Sequence, residues 1–148
     1  MRVLLQRVSR ASVSLDDEIV ASIDGGLVAL AAAGEGDDAD DLEYCIDKTA
    51  HLRVFEGPEG KMNRSVLETG GDVLVVPQFT LYANVDDGRR PSFFEAMDPG
   101  PAEEACNRYA EGLRAAGVDT VEEGVFGAAM DVELTNRGPV TIWLDSRR

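Results

Sequence analysis

The sequence predicts a single α/β domain, residues 1–148, built from a mixed sheet or sheets and two main helices. Three observations point there. The chain has 148 residues, the size of one ordinary domain, and can bury a core without disulfide or metal staples. Apolar runs of strand character recur at 2–8, 27–33 and 72–82. Two longer stretches, 38–54 and 101–116, instead carry apolar residues at helical spacing, and no repeat or linker separates the two kinds of segment.

Residues 2–8 alternate as a strand, with Val3, Leu5 and Arg7 on one face. Arg7 thus shares a face with two apolar side chains. Either it reaches solvent at the strand end, or it is buried and must find carbonyl or carboxylate partners. Residues 11–15 and 18–23 form a hairpin around Asp16-Asp17, and Gly25-Gly26 turns into a buried strand, Leu27 to Ala33. The helix at 38–54 opens on Asp38, Asp40 and Asp41, which suit a helix N-terminus. Leu42, Cys45, Ile46, Thr49 and Leu52 share its apolar stripe, and His51 falls on the far side. Gly57 to Gly60 is a turn. Asp72 to Tyr82 reads as one apolar strand, and Asn84 to Pro91 as a polar loop. Pro99-Gly100-Pro101 opens the second helix, with Pro101 near its first position and Glu103-Glu104 in its first turn. Ala102, Cys106, Tyr109, Leu113 and Ala116 form its stripe, and Gly117 ends it. Strands at Val118–Glu123, Asp131–Asn136 and Val140–Leu144 complete the domain.

The net charge is −14, from 28 acids against 14 bases. That excludes a broad phosphate-gripping surface but not a small local one. Only Lys48 and Lys61 are lysines. Many acids with few lysines fit a protein kept soluble in high salt, and a GC-rich genome explains the arginines equally well. No apolar run reaches the ~20 residues of a membrane helix. The start, Met1 to Arg7, lacks a signal-peptide core, so a cytoplasmic protein is expected. Cys45 and Cys106 stand apart without a CxxC pair, which disfavours zinc and, in the cytosol, a disulfide.

Three segments carry candidate chemistry. Pro77 interrupts the apolar strand and implies an edge, a bulge or the end of regular pairing, with Gln78 and Thr80 sharing one face beyond it. Thr135 to Thr141 contains Asn-Arg-Gly-Pro, which reads first as an ordinary hairpin turn. Gly88-Arg89-Arg90-Pro91 is the densest basic spot of an acidic chain, and suits an anion-contacting loop or a solvated one alike. A Ser-His-Asp or Cys-His site would have to use His51, the only histidine, which faces solvent.

Taken in order, these motifs resemble the D-aminoacyl-tRNA deacylases, also called the D-tyrosyl-tRNA deacylase family, over nearly the whole chain. The matching segments are Met1 to Val13, Leu52-Arg53-Val54-Phe55, Gly60-Lys61-Met62-Asn63, Gln78 to Ala83, Gly88 to Phe93, Phe126-Gly127-Ala128 with Met130, and Asn136 with Gly138-Pro139-Val140-Thr141. The resemblance implies the family fold, mixed β-sheets arranged like a barrel with two main helices. It implies a metal-free, cofactor-free cytoplasmic homodimer with active sites at the subunit interface. The family hydrolyses the ester joining a D-amino acid, or glycine (including glycine mischarged on tRNA-Ala), to the 3′ end of tRNA. Carried over, Gly138 and Pro139, joined by a cis bond, would reach into the partner's site and filter chirality through main-chain atoms. Gln78, Phe79 and Thr80 would wall the catalytic pocket, and Arg7 would hold the Gly-Pro dipeptide. Phe126 and Met130 would lie by the terminal adenosine.

The family usually has Ser where this chain has Pro77. A related animal lineage has Pro there, with a Gly-trans-Pro pocket that admits some L-amino acids. Phe79 and Arg7 are kept as in the D-specific family, which favours the cis bond and D-specificity. Two alternatives accompany this reading: a relaxed deacylase for small L-aminoacyl-tRNAs, and a non-catalytic binding module on the same scaffold. Thr80 as a covalent nucleophile is a rival to catalysis by positioning, but the sequence shows no base to activate it.

Overall fold

The structure, a computed structural model, describes residues 1–148. The expected strands at 2–8 and 11–15 are one strand, β1 (Arg2–Leu15). Asp16 and Asp17, with φ of 47° and 65°, form the two-residue hairpin turn into β2 (Glu18–Ile23). β3 (Gly26–Ala32) pairs antiparallel with residues 2–8 of β1, and β2 with residues 11–15 along the same edge. The opposite edge of β1 is covered from end to end by β8 (Asp131–Asp145). β6 (Asp72–Pro77) lies parallel to β3, and β7 (Val121–Glu123) parallel to β6. The order β2-β1-β3-β6-β7, with β8 on β1, is a mixed, nearly closed, barrel-like sheet.

Its two faces bury separate cores. Leu27, Ala29 and Ala31 of β3 and Val73 and Val75 of β6 face the helices, beside Val3 and Leu5. Their neighbours Val28, Leu74 and Val76 face the barrel interior, with Val8, Ala11 and Val13. This period of two explains why both strands read as continuous apolar runs: each is buried on both sides. The parity of β1 changes between Val8 and Ala11 because its pairing with β8 shifts register between Val8 and Arg10, a bulge that turns the strand over.

Helix α1 (Ala39–His51) starts at Asp38, whose side chain accepts from the Asp40 and Asp41 amides while Asp41 caps back. It stops three residues short of the expected end, at Leu52, whose ψ of 130° is extended. Between α1 and β6 the sequence reading missed a small hairpin, β4 (Phe55–Glu56) with β5 (Met62–Arg64), and one helical turn, α2 (Val66–Thr69). These elements are too short for a periodic signal. The second long helix, α3 (Pro99–Ala116), begins at Pro99 rather than Pro101, so Glu103 and Glu104 lie past its first turn. Gly117, at φ 112°, ends it as expected. Gly112 lets α3 approach Ile46 of α1, and the Thr49 and Tyr109 hydroxyls bond at 2.7 Å in the buried seam. No helix is long and apolar enough to cross a membrane.

Two expectations fail where chemistry was sought. The strand expected over Asp72–Tyr82 ends at Pro77, and Phe79–Tyr82 is a 3-10 turn, so Gln78 and Thr80 do not alternate along a strand. Pro77 brings no N–H; Gln78 N donates to Ala31 O of β3 at 2.8 Å, and the chain then turns. Of the alternatives posed by Pro77, the end of pairing is the one found, and β6 is an inner strand rather than an edge. Asn136 to Thr141 is no hairpin either. Both flanking runs belong to β8 and pair with β1 in one direction. The turn residues bulge out of the strand instead of reversing it.

Candidate active site

The bulge is built opposite a single residue. Gln6 pairs with Thr141 and Val8 with Asn136, so Arg137, Gly138, Pro139 and Val140 all arise across from Arg7. The Asn136 side chain closes its neck. Its Oδ1 accepts from Val140 N at 2.8 Å, and its Nδ2 donates to Val140 O at 3.2 Å and Thr141 Oγ1 at 3.1 Å. One amide thereby replaces the ladder bonds that the bulge forfeits.

Arg7 braces the bulge from below. It is 8% exposed, so of its two sequence alternatives burial is correct. Nε donates to Arg137 O at 2.8 Å, and Nη1 donates to Val54 O at 2.8 Å. Nη2 stands 3.9 Å from Glu56, itself largely exposed. The guanidinium therefore meets the requirement that a buried cation be hydrogen-bonded. A Cβ on Gly138 would lie 2.9 Å from Arg7 Nη2, and φ there is 134°, so only glycine fits. The Gly138–Pro139 bond is cis, and both residues are exposed, presenting main-chain atoms outward. A cleft of about 460 Å³ opens beside them, lined by Arg7, Gly26, Phe55, Glu56 and Gly138 among others.

Gln78, Phe79 and Thr80 lie elsewhere, at the end of β6. Gln78 Nε2 donates to Thr80 Oγ1. The turn has no side-chain cap, so its leading N–H groups are left for another acceptor. Phe79 is 55% exposed and meets Phe93 edge to face, with ring centroids 4.9 Å apart. Phe126 joins this region through a cleft of about 230 Å³ that it shares with Pro77. Met130 follows, its Sδ accepting from Val125 N at 3.3 Å beside Gly124, whose amide bonds Val75 O.

The eight residues singled out by resemblance thus fall into two groups. Arg7, Gly138 and Pro139 form one; Gln78, Phe79, Thr80, Phe126 and Met130 form the other. Arg2 marks the second group, donating from Nη1 to Leu81 O at 3.0 Å, whereas Arg7 marks the first. Arg7 is five residue steps along the strand from Arg2, which is about 16 Å. Within one chain the groups do not meet.

Neither group contains a histidine or a cysteine. His51 sits on the outer side of α1, bonded to Asp47 of its own helix. Burial pushes the Cys45 thiol up to about 12 and the Cys106 thiol up to about 11, so neither is a thiolate near neutral pH. Sequence reasoning missed the roles of Asn136 and of the Val54 carbonyl. The first was signalled by an amide two residues before Gly-Pro; the second had no signal, because it depends on where the α1–β4 connection packs.

The chain is similar to known proteins over nearly its whole length. The family model for D-Tyr-tRNA(Tyr) deacylase matches residues 4–145. A D-aminoacyl-tRNA deacylase of Thermomicrobium roseum is 59% identical over 99% of this chain and 94% of its own length. That of Bacillus pumilus is 48% identical over 99% of each chain. Among solved structures, one described as c-Myc DNA Unwinding Element Binding Protein superposes with a TM-score of 0.93 at 38% identity, covering 98% of both chains. A probable eukaryotic D-amino acid tRNA deacylase superposes at 0.80 with 22% identity and 97% coverage of each, a likeness of fold.

Proposed function

The chain belongs to the D-Tyr-tRNA(Tyr) deacylase family, and from that premise we propose that it hydrolyses the ester joining a D-amino acid, or glycine, to the 3′ end of tRNA. The active site is completed by a second copy of the chain. The observation that carries this is the separation of the two residue groups. The outward-facing Gly138-Pro139 loop is braced by Arg7, about 16 Å along β1 from Arg2, which holds the turn after Gln78, so the loop does not serve Gln78–Thr80 of its own chain. It is built to enter a partner's pocket.

In that pocket the Gly138 and Pro139 main chain meets the substrate's chiral centre. A D side chain points away from it, and an L side chain collides with backbone that Arg7 and Asn136 hold still. Gln78, Phe79 and Thr80 wall the pocket, with the Phe79 ring packed against the substrate. Phe126 and Met130 lie by the terminal adenosine. Water attacks the ester carbonyl, the bond to the ribose oxygen breaks, and that oxygen leaves with a proton. The uncapped N–H groups of the 3-10 turn meet the developing oxyanion, and a neighbouring ribose hydroxyl relays the proton. Thr80 does not act as nucleophile. Its Oγ1 partner is the Gln78 amide, which cannot take a proton. Gripping only the acceptor end reconciles the reaction with a net charge of −14.

The test is hydrolysis of matched D-tyrosyl- and L-tyrosyl-tRNA at low and near-molar KCl. Loss of the D ester alone is expected. Loss of both esters would replace chiral selection by a relaxed pocket at Pro77. Loss of neither at any salt would overturn the catalytic reading in favour of a binding module.

A further inference from the structure

We propose that Arg89 and Arg90 hold backbone phosphates of the single-stranded 3′ end of the tRNA as it enters the Phe79 pocket. The proposal rests on the deacylase reading above and assigns the element that binds the polyanion.

A chain with a net charge of −14 needs a local cation wherever it meets RNA. The chain has two adjacent arginine pairs, and they are used differently. Arg147 pairs with Asp37 at 2.9 Å and Arg148 with Asp145 at 3.5 Å. Arg89 and Arg90 are exposed and have neither an ion pair nor a hydrogen bond, although Asp86 and Asp87 stand next to them in sequence. Unpaired guanidinium groups in an acidic protein are available to an external anion.

Their loop is built. Asn84 and Ser92 exchange both backbone bonds, at 2.8 and 2.9 Å, closing its neck. Asn84 Oδ1 accepts from Asp86 N at 3.0 Å, and Gly88, at φ 74°, makes the tip. The acids therefore occupy the outgoing limb and the arginines the returning limb. That limb runs directly into Phe93, whose ring touches Phe79. Arg90 is three residues from Phe93, so their Cα atoms lie within about 11 Å. Phe94 follows, 88% exposed, a bare ring on which an unpaired base can stack. Cations and an aromatic face at the edge of the pocket are the two parts of a single-strand RNA platform.

The experiment compares wild type with Arg89→Ala plus Arg90→Ala, both on an exposed loop. Binding of an RNA hairpin ending in single-stranded CCA is read by fluorescence anisotropy from 50 to 400 mM KCl. Hydrolysis of D-tyrosyl-tRNA is read beside that of the phosphate-free ester D-tyrosyl-adenosine. The variant should bind the RNA about tenfold more weakly, with a salt slope shallower by about 1.4, or 0.7 for each phosphate no longer neutralised. KM for the tRNA should rise while kcat holds, and the loss on tRNA should exceed the loss on the adenosine ester by about tenfold. Arg89→Lys plus Arg90→Lys should recover most of the slope. Arg10→Ala plus Arg108→Ala removes the same charge elsewhere and should change the slope by less than half as much. Equal loss on both substrates, or an unchanged slope, would overturn the proposal. Wild type that binds the hairpin through these arginines yet hydrolyses neither ester would overturn the deacylase reading and leave this one standing.

Discussion

Arg7 donates to the carbonyl of Arg137, 130 residues later in the chain, at 2.8 Å. The bond ties the middle of the central strand to the root of the one loop that leaves the sheet. The shape of that loop thus depends on the core as well as on its own Asn136 and Gly138.

Arg7→Ala strips the buried Val54 carbonyl and the partly buried Arg137 carbonyl of their partner and opens a cavity. It should lower stability by about 2–4 kcal/mol in urea titrations and abolish discrimination between D and L esters. Arg7→Lys cannot span both carbonyls and should keep more stability than selectivity.

Asn136 uses both ends of its amide. Asn136→Asp removes the donor and should cost about 1–2 kcal/mol, with a fall in deacylation, while Asn136→Gln should misplace both bonds. Thermal melts and D-tyrosyl-tRNA turnover measure the two effects together. Unchanged turnover would mean that the loop needs no clamp.

Catalysis by positioning predicts that Thr80→Ala lowers kcat about 10–100-fold and traps no acyl-enzyme in acid-quenched reactions. A nucleophilic Thr80 would instead leave a covalent adduct in wild type and essentially no activity in the variant.

Mixing Gly138→Ala plus Pro139→Ala subunits with Thr80→Ala subunits should raise selective D-ester hydrolysis above the residual level of either parent. Random reassortment gives each hybrid dimer one intact site, about a quarter of the wild-type total. No recovery after subunit exchange would place both residue groups in one chain's site.

The buried thiols set an alkaline limit to stability. Cys45 rises from 9.0 to about 12 and Cys106 from 9.0 to about 11 because burial disfavours the thiolate. Their contribution is therefore complete below pH 9 and is lost as pH rises through the folded values. Above pH 9 stability should fall by up to about 1.4 kcal/mol per pH unit for each thiol. Tyr82 and Tyr109, also raised by burial, add to the loss at higher pH. Urea titrations from pH 7 to 10.5 read this slope, and Cys45→Ala plus Cys106→Ala should flatten its first part.

The class, the buried strands, both long helices and the hairpin at Asp16-Asp17 were legible in the chain before any folding, because they follow from local periodicity and local turn chemistry. Motif order alone pointed to the family, whereas Arg7 beside Val3 and Leu5 left open whether it reached solvent or was buried with carbonyl partners. The remaining features arise only when distant segments meet. Whether Asn-Arg-Gly-Pro reverses the chain or bulges from it depends on whether both flanks find the same neighbour, and β1 is long enough to pair with both. Pro77 posed an edge, a bulge or the end of pairing, and the last is found where β3 itself runs out at Ala32. The separation of Gly138 from Thr80 comes from the placement of β6 beside β3 and of β8 along β1, long-range pairings that local patterns do not carry.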